Sequence, residues 1–269
     1  LIQPQILHRR KSEVAKDLPA PVEHAECKRL RMSGYQQRLY EGALSTLREQ
    51  RDTNPSAQLQ ALLAIRQICS DPHGFAEAET RRLPIDRLVN ESPKMGWMVE
   101  LLKALAADAV GDHKVIIFCE FRELQLLLQR VIAAFFGFAP SIVNGNTSAD
   151  PRATENRQAL IDAFQRKPGF NAIVLSPLAV GFGVNIQAAN HVIHFTRTWN
   201  PAKEDQATAR AHRIGQTRTV TVYYPGVVSE MFPSFDVRLD ALLAGKRALA
   251  ADMLNGCSDL KAADFADFG

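Results

Sequence analysis

Two regimes of hydrophobic periodicity divide the chain. Up to about residue 70, apolar residues recur at helical spacing. Leu39, Tyr40, Ala43, Leu44 and Leu47 form the stripe of a helix over 33–50, and Leu59, Leu62, Leu63 and Ile68 that of a second over 57–69. Ser33 followed by Gln36 resembles a capping box that opens the first helix. Ser70-Asp71-Pro72-His73-Gly74 stops the second. Residues 75–92 are polar, lack clear periodicity and read as a linker or insertion.

From residue 92 the rhythm changes. Ser92-Pro93 pairs a cap with a first-turn proline and predicts a helix to about 110. Short apolar runs then alternate with helical stretches. Strands are predicted at 114–119, 141–143, 171–176, 191–195 and 219–224, with helices at 122–136, 152–165, 203–212 and 234–253. The continuous apolar run Val115-Ile116-Ile117-Phe118 suits a strand buried on both faces. The alternation predicts an α/β fold with a parallel sheet covered by helices on both sides. Residues 255–269 are small and acidic and are predicted to form a flexible tail.

Composition narrows the class. With 46% hydrophobic and 23% charged residues, the 269-residue chain can bury a substantial core. A net charge of +3 permits a local nucleic-acid-binding patch and is equally consistent with a generic surface. Cys27, Cys69, Cys119 and Cys257 show no CxxC spacing, which points to reduced intracellular thiols and away from disulfides or a zinc site; no metal ligands are expected. No apolar stretch reaches membrane-spanning length, so no membrane partner is expected. The chain opens at Leu1 in mid-pattern and reads as part of a longer protein.

Four segments offer chemistry. In the 203–212 helix and just beyond it, Arg210 and Arg213 are three apart, share a face and are placed to hold an anion; Gly215 suits a left-handed cap. A solvated basic face is the alternative. Gly181 and Gly183 follow the 171–176 strand, where backbone can approach a ligand or simply turn. Asn144-Gly145-Asn146-Thr147-Ser148 offers donors to phosphate oxygens, or an ordinary Asx turn. Trp199 is a base-stacking residue if exposed and a core residue otherwise. The sequence contains no GxxxxGK[ST] loop, so this chain has no phosphate loop to cradle a triphosphate with its metal.

The order of these segments carries a resemblance. Lys114–Phe121, Asn144–Ser148, Leu175–Asn185 and Gln206–Gln216 look like the successive C-terminal motifs of superfamily-two helicases, and Arg210-Ala211-His212-Arg213-Ile214-Gly215-Gln216 is close to the Swi/Snf signature. Ile6-Leu7-His8-Arg9-Arg10-Lys11 through Asp17-Leu18-Pro19 resembles that subfamily's lobe-linking segment. Ile65-Arg66-Gln67-Ile68-Cys69 with Pro72 resembles its helical extension. The resemblance implies a RecA-like three-layer lobe over 92–254, preceded by a linking segment and helical extension over 1–91. It implies an ATP-driven double-stranded DNA translocase in which an N-terminal RecA-like lobe of the same polypeptide holds ATP with Mg2+. Arg210 and Arg213 then correspond to arginine fingers, Gln206, Gly181 and Gly183 to nucleotide-cleft positions, and Asn144, Thr147 and Ser176 to positions near the DNA backbone. A nucleoprotein complex is an implied partner, and the expected location is the bacterial cytoplasm, at the nucleoid, or a eukaryotic nucleus. After Ser176 the family has Thr and a basic residue, and before Gly181 a Gly; here stand Pro177, Leu178 and Val180. The alternatives are a non-catalytic nucleic-acid or protein-binding module derived from such a lobe, and a motor that remodels RNA polymerase or serves defence.

Overall fold

Six parallel strands organise the chain. The computed structural model describes residues 19–49, 55–74, 83–108, 111–150, 152–179, 184–252 and 258–265. The strands are β1 (Val22–His24), β3 (Lys114–Phe118), β4 (Ser141–Val143), β5 (Asn171–Leu175), β6 (His191–His194) and β7 (Thr221–Tyr223), in the order β1-β7-β6-β3-β5-β4. A separate parallel pair joins β2 (Leu30–Arg31) to β8 (Val227–Val228). Every residue of β3 and β5 is buried, as the continuous apolar runs predict for central strands.

Alternation along the strands sorts side chains into two cores. Val115, Ile117, Val174 and Ile193 face one way, against α4 (Pro93–Ala107) and α5 (Arg122–Phe136). Ile116, Phe118, Ile173, Leu175 and Val192 face the other, against Ile161 and Phe164 of α6 (Arg157–Arg166) and Ala207 of α7 (Pro201–Thr208). The result is the three-layer α/β lobe expected from the sequence.

Local chemistry fixes the helix ends. The Ser92 and Asn200 side chains accept N–H bonds from Met95 (3.4 Å) and Ala202 (2.9 Å), each cap being followed by proline. Asn156 caps α6 by accepting from Ala159 N–H (2.9 Å), so that helix starts at Arg157 and not at 152. Gly137, at φ 70°, closes α5 with its N–H on Ala133 O.

The helical extension comprises α1 (Gly34–Glu49), α2 (Pro55–Ser70) and α3 (Ile85–Glu91), and α8 (Phe235–Asp252) follows the sheet. Ser33 Oγ accepts from Gln36 N–H (3.0 Å), but the Gln36 side chain donates to Ile68 O (2.7 Å); the expected box is a one-way cap. Helix α3 lies within the stretch read as a linker, and Leu88 anchors it. A third core joins Tyr40, Leu44, Leu62 and Ile65 to Phe235, Leu239 and Leu243. Leu260 and Phe265 complete it, so residues 258–265 pack where a flexible tail was expected. Among the described residues, no helix is long and apolar enough to cross a membrane.

Candidate active site at the carboxyl edge of the sheet

Because the strands are parallel, the loops after β3, β4, β5 and β6 share one edge, the usual ligand-binding edge of an open α/β sheet. Backbone bonds hold them in register. Ser176 N–H donates to Val143 O (2.9 Å), Cys119 N–H to Leu175 O (2.9 Å) and Thr196 N–H to Phe118 O (3.3 Å).

Helix α7 ends at Thr208, short of the predicted 212. Arg210 N–H bonds Ala207 O (3.1 Å) and Ala211 N–H bonds Thr208 O (3.1 Å), so the chain runs on in tight turns. The Arg210 carbonyl accepts from Ile186 N–H (3.0 Å) instead of from a residue one helical turn ahead. Arg210 and Arg213 thus sit on a loop, close enough for the charge of Arg213 to act on Arg210. Burial depresses the half-buried Arg210 guanidinium below its ordinary value, and the Arg213 charge pushes the same way. Among the described residues neither side chain has a carboxylate partner. Two neighbouring cations without an acid are a poor structural pair and a good receptor for a multiply charged anion.

The loop is fastened to the segment before β6. Buried Gln216 donates through Nε2 to Gln187 O (2.9 Å) and Ala189 O (2.8 Å) and accepts Arg218 N–H (3.0 Å). The Gln187 side chain donates to Ile214 O, and the Arg218 guanidinium to Ala188 O. Gly215 has φ 97°, and a Cβ there would meet Gln187 Nε2 at 2.9 Å. Its expected left-handed role therefore has a packing reason as well. Nothing in the periodicity marks Gln216 as the anchor of this loop; its side chain's reach across 27 residues to Ala189 is a tertiary fact.

Other expected residues fare differently. Gln206 is exposed on α7, and Gly181 and Gly183 lie outside the described residues. Asn144 donates through Nδ2 to Gln125 Oε1 (2.7 Å) and accepts Asn146 N–H at Oδ1 (2.9 Å). Thr147 Oγ1 accepts Asn144 N–H (3.0 Å). This is the Asx-turn alternative. Ser176 is buried and opens a turn whose Ala179 N–H returns to Ser176 O (3.1 Å). Pro177 occupies the second position of that turn, where proline's fixed φ is favoured and no N–H is needed. Leu178 is 69% exposed. Trp199 is half-buried against the third core, with its ring 5.4 Å from Phe265 and the Arg66 guanidinium 5.6 Å over it. The core-packing alternative accounts for its position.

Beneath α7 lies a buried charge cluster that the sequence pattern does not reveal. Arg197 binds Glu204 through Nε (2.7 Å) and NH2 (3.0 Å) and reaches Asp240 of α8 (2.7 Å). Arg247 adds a bond to Glu204 (2.9 Å), and the Tyr224 ring lies 4.2 Å from the Arg197 guanidinium. Burial alone would raise the Glu204 carboxyl; Arg197 holds it below its ordinary value.

His194, at the end of β6, is fully buried between Phe118 and Tyr224, with Nε2 2.8 Å from Thr208 Oγ1. Burial pulls its pKa from 6.5 to about 4. The unfolded chain therefore binds this proton first as pH falls. Its contribution to stability is complete above pH 6.5 and lost as pH drops towards 4, a total of about 3 kcal/mol. His194→Gln is expected to flatten the pH dependence of urea unfolding over that window. An unchanged slope would mean that the ring is not held neutral.

Residues 94–215 match the family described as helicase conserved C-terminal domain. The chain is 47% identical, over 98% of its length, to the Zorya protein ZorD of Escherichia coli O139:H28, and 34% identical, over 90%, to the putative ATP-dependent helicase/translocase YwqA of Bacillus subtilis. It spans only 24% and 25% of these two relatives. The fold matches the Sulfolobus solfataricus SWI2/SNF2 ATPase core domain with TM-score 0.67 and 26% identity, covering 100% of this chain and 51% of that one. The C-terminal part of the Fun30 ATPase domain matches with TM-score 0.68 and 20% identity, covering 93% of this chain and 98% of that one.

Proposed function

We propose that this chain, which belongs to the C-terminal helicase lobes of the Swi/Snf ATPases, completes an ATPase site whose nucleotide is held by a second lobe, and drives movement along double-stranded DNA. The observation that carries this reading is the pair Arg210 and Arg213, two neighbouring guanidiniums without a carboxylate partner among the described residues. They fit the γ-phosphate of ATP. They repel a metal ion, so the ligands of Mg2+ would lie on the other lobe. In the closed site the two guanidiniums would donate N–H bonds to the γ-phosphate oxygens and stabilise the charge that develops there, an effect worth about 10³–10⁵ in rate in comparable enzymes. Gln206, exposed on α7, and Gly181 and Gly183 would line the same cleft.

Duplex DNA would run along the loops after β4 and β5, held by its phosphates, with binding that weakens steeply as salt rises. A remodelled nucleoprotein complex is the wider partner this reading implies.

The direct test is turnover by the purified chain. With ATP, Mg2+ and duplex DNA it should hydrolyse nothing above background, because it has no phosphate loop. Measurable steady-state release of phosphate by this chain alone would overturn the shared-site reading.

A further inference from the structure

The residues aligned with DNA-backbone positions have little left to offer a phosphate. The Asn144 amide and the Thr147 hydroxyl are engaged within their own turn and with Gln125, and Ser176 is buried. The basic side chain expected after Ser176 is replaced by Leu178. A surface that grips DNA through phosphates needs positive charge from elsewhere.

Two arginines supply it. Arg157 donates through Nε to Thr147 O (3.0 Å) and through NH1 to Ala179 O (3.2 Å), so one guanidinium clasps both loops. Its partners are carbonyls, and no carboxylate among the described residues offsets its charge. Arg122 opens α5, is exposed, and has no ion pair among the described residues. Its NH2 lies 3.4 Å from the place a Cβ would occupy on Gly145, so the guanidinium rests over the backbone of the same Asn144–Ser148 turn.

We infer that Arg122, with the uncompensated charge of Arg157 behind it, forms the phosphodiester-binding point of this lobe on duplex DNA. The inference rests on the DNA-translocase reading above and changes which residues carry it. Arg122 contacts the phosphate. Arg157 holds the two loops together and adds to the local positive potential. The contact is to backbone and carries no base preference.

The test uses this chain and a fluorescent duplex of mixed sequence, with affinity measured from about 50 to 200 mM salt. One lost phosphate contact lowers the slope of log K against log salt by about 1, and weakens binding about eight-fold near 0.1 M salt. Arg122→Ala should show both changes, with an unaltered melting temperature, and Arg122→Lys should restore the slope. An Arg122→Ala slope equal to wild type overturns the Arg122 assignment while leaving DNA binding in place. If the wild-type chain binds no duplex even at low salt, the DNA reading itself falls, and this inference with it.

Discussion

Arg213→Ala, in a polypeptide that joins this lobe to the nucleotide-holding one, is expected to abolish DNA-stimulated ATP hydrolysis while leaving duplex affinity nearly unchanged. Arg210→Ala should do the same. The expected loss is about 10³–10⁵ in kcat, because a guanidinium at the γ-phosphate contributes most where charge accumulates in the transition state. KM for ATP should move far less, since the phosphate loop lies elsewhere. The two residues differ in setting. Half-buried Arg210 is already depressed by burial and by its neighbour, so bringing a phosphate between the two relieves a repulsion present without it. Lysine should rescue either position poorly, because an ammonium cannot offer the planar pair of donors. If both alanine variants hydrolyse ATP at the wild-type rate, the finger assignment is wrong.

The largest stability effect is expected at Glu204. This carboxylate is 0% exposed and accepts from Arg197, Arg247 and Thr198 N–H. Glu204→Gln should cost about 3–5 kcal/mol in urea unfolding, because Arg197 is then left buried with Asp240 as its one carboxylate among the described residues. Loss below about 1 kcal/mol would show that water reaches the cluster and screens it. The site should feel the change too. Glu204 lies on α7, which leads directly into the arginine loop, and Asp240 lies on α8.

The layered lobe was legible because its physics is local. The apolar runs of β3 and β5 suit a doubly buried strand, and the stripe over 122–136 ends at a glycine that adopts the conformation its position demands. What escaped was set by distant partners. Strand β1 is exposed and short, and exists by pairing with β7, some 200 residues on. Phe265 packs because Trp199 and Phe235 wait for it. At the site, Arg210 and Arg213 were readable as a pair, but the helix expected beneath them stops at Thr208, where Ile186 takes the Arg210 carbonyl. Arg122 and Arg157 were invisible as a set, since what unites them is the turn they both touch.

The fastening of the arginine loop to residues 186–189 has a thermodynamic corollary. Displacing the arginine loop away from that segment would break the Gln216, Gln187 and Ile186 bonds, so the two are held together. Coupling between two binding events is reciprocal. If DNA draws the arginine loop towards the nucleotide, nucleotide must strengthen the lobe's hold on DNA by the same factor, and ATP hydrolysis then becomes the step that releases the track.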